Sequence, residues 1–193
     1  RKSQMNLRLF IAIAVPADVR TQLACVQNEL RPLAAPEDVR WVKLEQFHLT
    51  LKFLGNIPSD SVETVKNSLA EACAGIQPFQ LHAKGVGFFP NAHSPRVIWT
   101  GIEKQNDLTE LQKRIAESLA LFAKESKTEK FHGHVTLGRF QKFRRHKTEK
   151  LLPHASLFEN HCFGEWRVDE IDLMQSELSS SGARHAKFFS VRL

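Results

Sequence analysis

The sequence predicts an α+β fold of two pseudo-symmetric lobes, and two observations carry the prediction. In each half of the 193-residue chain a strand pattern and then a helical pattern lead into a second strand. Each second strand holds the same motif, His48-Leu49-Thr50-Leu51 in the first half and His134-Val135-Thr136-Leu137 in the second. Apolar residues alternate with His and Thr in both. A strand therefore sets imidazole and hydroxyl side by side on one face, with Leu or Val on the other. With nine His and eight Thr in the chain, about 0.4 His-x-Thr pairs are expected by chance, so an ordered pair that continues into Leu is signal.

The elements follow in order. Residues 9–15 are apolar on both faces, which suits a strand covered on both sides, and Pro16 ends it. Val19, Leu23, Val26 and Leu30 recur at helical spacing, with Asp18 early and Pro32 and Pro36 beyond the end. A loop over 34–38 leads to Trp41 and the first motif strand, which Gly55, Asn56 and Pro58 close. Asp60 and Glu63 have capping-box spacing ahead of Val65 and Leu69, predicting a helix over about 60–74. Phe79, Leu81 and Ala83 alternate with polar residues, and residues 97–100 supply a second strand after the Pro90 to Pro95 turn, so the two read as a hairpin. Leu108, Leu111, Ile115, Leu119 and Phe122 form a helical stripe over 106–125, and a polar run separates it from the second motif. Residues 163–173 give one or two strands and residues 186–193 a closing strand.

The length fits one bilobal domain over 1–193, with residues 1–5 as an N-terminal extension. A hydrophobic content of 42% is ordinary for a globular protein, and a formal charge of +6 favours an anionic partner without requiring one. Cys25, Cys73 and Cys162 are odd in number and form no Cys-x-x-Cys pair, so neither a disulfide framework nor a zinc cage is expected and a cytoplasmic setting is the simplest. The basic start followed by residues 9–15 imitates a signal peptide, but no small-x-small cleavage site follows. No apolar run approaches the roughly 18 residues of a membrane span.

Two imidazoles titrate near neutrality and can serve as acid and base without metal. Thr50 and Thr136, each two residues along the same face, can donate hydrogen bonds to phosphoryl oxygens. Either motif alone reads equally well as a satisfied sheet histidine beside a β-forming threonine, and only the pair favours chemistry. His132 shares a strand face with His134, yet no third ligand stands at metal spacing, so His132 is read as bordering the pocket and no metal or other cofactor is expected. Arg139, five residues past His134, is a charge at the end of the second motif strand, either solvated or a partner for an anion. Residues 142–147, with Arg144, Arg145 and Lys147, are the densest basic stretch, either an RNA-backbone contact or a solvated face.

With the two motifs, the segment Leu9-Phe10-Ile11-Ala12-Ile13, Trp41, Pro95-Arg96-Val97-Ile98-Trp99, Ser176-Glu177-Leu178 and Gly182-Ala183-Arg184, the chain resembles the 2H phosphoesterases. Within them it resembles the RNA 2′,3′-cyclic phosphodiesterases, also called 2′-5′ RNA ligases. That resemblance implies an antiparallel sheet with outer helices in each lobe and an active-site cleft between the lobes. It also implies a monomer that hydrolyses RNA terminal 2′,3′-cyclic phosphates to 2′-phosphates, with reversible 2′-5′ ligation of tRNA halves as an added activity. By the same resemblance His48 is the proton donor, His134 the proton acceptor, and Arg139 the arginine that follows the second motif. Two positions depart from the pattern: Gly133 stands where the family often has Pro, and His185 where it has Tyr, in a chain without tyrosine. The alternatives are a non-catalytic module that holds RNA ends, and a phosphodiesterase for a small nucleotide such as ADP-ribose cyclic phosphate.

Overall fold

A computed structural model describes residues 5–122, 130–141, 149–179 and 182–193; the basic stretch at 142–147 and most of the polar run before the second motif lie outside these. Among the described residues nine strands form one antiparallel sheet. They are β1 (Asn6–Ala14), β2 (Val39–Trp41), β3 (His48–Pro58), β4 (Phe79–Phe89), β5 (Val97–Ile102), β6 (His134–Phe140), β7 (Cys162–Val168), β8 (Glu170–Ser179) and β9 (Gly182–Arg192). Their order is β7-β4-β5-β6-β3-β1-β8-β9, with β2 added to β6. Four helices accompany them: α1 (Ala17–Leu30), α2 (Val62–Cys73), α3 (Asn106–Ser118) and α4 (Leu151–Ser156). Helix α1 packs on β7 and α4 on β4, while α2 packs on α3 and β9, and α3 on β3.

The apolar patterns form as read. In β1, Leu9, Ile11 and Ile13 face the core at no more than 2% exposure, and Phe10 and Ala12 on the other face are equally covered. At about 2 kcal/mol for each large aliphatic side chain buried, a one-residue slip would exchange Leu9, Ile11 and Ile13 with the differently shaped residues of the opposite face and break the packing on both, so the register is strongly held. Helix α2 differs in its start. A 3-10 turn (Ser59–Ser61) takes in Asp60, so the N-cap of α2 falls on Ser61 rather than on Asp60; Ser61 Oγ donates to Asp60 Oδ1, and Glu63 pairs with Lys66. The stripe predicted over 106–125 stops as α-helix at Ser118 and continues as a 3-10 turn (Ala120–Phe122).

The two halves of the sheet, β7-β4-β5-β6 and β3-β1-β8-β9, meet where β3 pairs with β6. One residue pair registers there, Leu49 with Val135. Both side chains are fully buried. Because faces alternate, their neighbours His48, Thr50, His134 and Thr136 all point to the opposite face. An antiparallel register sets His48 beside Thr136 and His134 beside Thr50.

Each motif strand then carries a bulge at the same place. Against β5, Thr136 pairs with Trp99 and Gly138 with Ile98, leaving Leu137 as the extra residue; against β1, Thr50 pairs with Ala12 and Lys52 with Ile11, leaving Leu51. A bulge shifts the alternation by one and frees a carbonyl from the ladder. A buried glutamine from a helix meets it in one lobe: Gln27 Nε2 of α1 donates to Leu137 O at 2.6 Å and to Val42 O at 2.8 Å. In the other, Gln112 Nε2 of α3 donates to Leu51 O at a longer 3.4 Å.

Candidate active site

The phase shift at Leu137 decides which later residue joins the motif face. Arg139 pairs with Val97, two residues before Trp99 on the same face of β5, so Arg139 rejoins His134 and Thr136. In the first lobe the matching residue is Phe53, paired with Phe10, its ring 5.8 Å from that of Phe10 and 61% exposed. Each lobe thus presents His, Thr and a third side chain at offsets of zero, two and five.

Both imidazoles are oriented by the same device. His48 Nδ1 lies 2.7 Å from Gln46 O, and His134 Nδ1 lies 2.8 Å from His132 O, in each case the carbonyl two residues back. A carbonyl only accepts, so each Nδ1 carries the hydrogen and each Nε2 is left to exchange protons. An aromatic ring supports each: Phe10 lies 4.9 Å from His48, and Phe89 lies 4.9 Å from His134. Trp99 lies 6.4 Å from His134 and can lie flat across the sheet because its partner on β4 is Gly87, where a Cβ would fall 2.4 Å from the indole.

Burial pushes His48 down to about 4; the bond to the Gln46 carbonyl opposes this, and the positive charges of His185, Arg139 and His134 add to it. His134 is also lowered, again first by burial, with its bond to the His132 carbonyl opposing and the charges of His132 and Arg139 adding. Arg139 therefore acts on both imidazoles, and His134 acts on His48. Two half-buried imidazoles, two hydroxyls and a guanidinium share one face of the sheet and fit an anion carrying several oxygens.

The family model for LigT-like phosphoesterases matches residues 13–99 and 101–185, with one His-x-Thr motif in each segment. The chain belongs to the LigT-like phosphoesterases. It is 38% identical over 148 residues to a protein of Aquifex aeolicus named RNA 2′,3′-cyclic phosphodiesterase, covering 74% of this chain and 76% of the relative. A protein of Archaeoglobus fulgidus with the same name is 31% identical over 176 residues, 91% of this chain and 94% of that one. The crystal structure of TT0787 from Thermus thermophilus superposes with a TM-score of 0.79 at 26% identity, covering 97% of this chain and 98% of that one.

Within this LigT-like phosphoesterase the fold brings His48, His134, Thr50, Thr136 and Arg139 to one face. His132 stands apart: it is exposed, its ring packs on Trp99 at 4.9 Å and on Phe89 at 5.5 Å, and its backbone carbonyl serves His134. Among the described residues no three His, Cys, Asp or Glu side chains cluster as a metal set. Gly133 is confined, since a Cβ there would lie 3.2 Å from Ile102 Cβ. Sequence reasoning marked His185 only as the residue standing where the family has Tyr, and the fold packs its ring 5.1 Å from that of His48. Gln27 and Gln46 carry no motif signal. No described helix is long and apolar enough to cross a membrane.

Proposed function

We propose that this chain acts as one bilobal unit that hydrolyses the terminal 2′,3′-cyclic phosphate of RNA to a 2′-phosphate without a metal ion. The observation that carries the reading is the Leu49–Val135 pair, which gives the four motif side chains a common face across the seam of the two half-sheets. In the proposed reaction, neutral His134 Nε2 takes a proton from water as the water oxygen bonds phosphorus. Protonated His48 gives its Nε2 proton to the departing 3′ oxygen on the far side. The P–O3′ bond breaks, the 2′-phosphate remains, and the two imidazoles end with exchanged protonation. Thr50 and Thr136 donate to non-bridging oxygens, and Arg139 offers paired N–H groups to the same charge.

The names of the relatives support the cyclic-phosphate substrate, and the fixed Nδ1 hydrogens support imidazoles that work through Nε2. The test is to incubate the purified chain with an oligonucleotide ending in a 2′,3′-cyclic phosphate and with the matching cyclic mononucleotide, and to separate the products by chromatography. Accumulation of the 2′-phosphate supports the reading; intact substrate, or a 3′-phosphate product, refutes it.

A further inference from the structure

His185, near the start of β9, packs its ring 5.1 Å from that of His48 at 78° and 5.0 Å from that of Phe10 at 70°; Phe10 and His48 are themselves 4.9 Å apart. The three rings close a triangle with His48 at one corner. Gln46 binds that corner to β9 from the other side: its carbonyl accepts from His48 Nδ1, and its side-chain amide donates to the carbonyl of Ala183, two residues before His185. His185 also borders two cavities, one of about 210 Å³ lined by His48, Ala12 and Ala14, the other between Lys43 and Arg184. Its Nδ1 is buried without a hydrogen-bond partner among the described residues, so packing holds the ring. On the His134 side the rings beyond Phe89 are the indole of Trp99 and the exposed imidazole of His132, which packs on Phe89 at 5.5 Å and on Trp99 rather than on His134.

Given the reading of His48 as the acid, we propose that His185 is a positioning residue for it: the ring fixes the direction of the His48 imidazole and, when protonated, prevents His48 from holding its own proton. The charged groups facing His185 are His48 from β3, Arg8 from β1, Arg20 from α1, Asp172 from β8, Glu45 from the turn before β3 and Lys187 from its own strand. Lys43 and Arg184 share its second cavity. Cations outnumber carboxylates in this set. A proton on His185 therefore adds to a positive surround, consistent with burial and Arg8 both lowering its own protonation.

The test uses His185→Phe, His185→Tyr and His185→Ala in the full chain. Turnover of a 2′,3′-cyclic mononucleotide is measured from about pH 3.5 to 9. The His48 ring is titrated by ¹⁵N NMR. His185→Ala should lower kcat on the order of tenfold with KM within about threefold, the pattern of a misdirected acid. His185→Phe and His185→Tyr, which keep a ring, should hold kcat within about threefold of wild type. His185→Phe should also move the alkaline limb of kcat/KM and the His48 titration upward by about half a pH unit or more, as expected when a charge about 5 Å away is removed. Wild-type kcat and pH profile in His185→Ala overturn the proposal, as does an unmoved His48 titration in His185→Phe or a rise in KM alone in all three. If wild type fails to open the cyclic phosphate, the functional reading falls, while the NMR titration still decides the link between the rings. If His185→Ala does not fold, His185→Phe carries the test.

Discussion

The burial of His48 has a consequence for stability that can be measured without any substrate. An ordinary His titrates near 6.5, and His48 in the fold near 4, so the unfolded chain binds a proton that the folded chain refuses. The sign follows: above pH 6.5 the group is neutral in both states and costs nothing, between 6.5 and 4 stability falls with pH, and below 4 the loss is complete. At about 1.4 kcal/mol per unit, the whole shift amounts to roughly 3 kcal/mol, and about 2 kcal/mol of it is lost between pH 7.5 and 5. His48→Phe keeps a ring against Phe10 and His185 and removes the titration. Urea unfolding of wild type and His48→Phe at several pH values should give stability curves that converge or cross on acidification, their difference changing by about 2 kcal/mol. His185 belongs to the same cluster, so the change reports the coupled pair. Curves parallel within about 0.5 kcal/mol would refute the claim that burial holds His48 neutral.

His48→Ala and His134→Ala should each lose at least about two orders of magnitude in hydrolysis, and Thr50→Ala and Thr136→Ala less, measured as kcat/KM with the fold checked by circular dichroism. Hydrolysis should survive exhaustive EDTA treatment; loss on chelation with recovery on zinc would move the site to a metal. Because an anionic phosphodiester favours the charged imidazole that burial disfavours, the alkaline limb of kcat should lie at higher pH than that of kcat/KM, and coincident limbs would contradict this. Gln27→Leu takes the side-chain donor from the Val42 carbonyl and leaves Leu137 O with only the Val42 N–H at 2.9 Å, and should cost about 1–3 kcal/mol in urea unfolding, with KM raised as the bulge that places Arg139 loosens.

The sequence carried the motifs because their information is local: a period of two in His48-Leu49-Thr50 and His134-Val135-Thr136 names a face without reference to any other strand. It could not carry the bulges. Arg139 lies five residues past His134, out of phase with a regular strand, and only the pairing of β6 with β5 reveals that Leu137 is the extra residue. The same limit hid Gln27, whose value depends on a carbonyl 110 positions away, and His185, whose neighbour is 137 positions away. The short strand β2 and helix α4 were too brief to stand out as periodicity.

Two imidazoles held by the same carbonyl device, on strands with the same bulge, would be interchangeable if the lobes were identical. An in-line displacement needs them to differ, because one must be neutral and the other charged at the same moment. The differences sit at matching positions. At offset five the first lobe presents the apolar, exposed Phe53 and the second presents Arg139, so fixed positive charge enters from the His134 side, as the proposed base in its neutral form requires. Beyond the supporting Phe, the first lobe has the ring of His185 packed on His48 itself, and the second has the indole of Trp99 with the exposed ring of His132 behind it. His48 thereby has a second imidazole packed directly on its ring, while His134 meets the fixed charge of Arg139 and, across Phe89, the exposed ring of His132. Exchanging the offset-five residues, as Phe53→Arg with Arg139→Phe, should move positive charge to the His48 side. A p-nitrophenyl phosphodiester, whose leaving group needs no proton, would then read the outcome: if the exchange leaves its turnover no less impaired than that of the cyclic phosphate, charge placement is not what assigns the acid and the base.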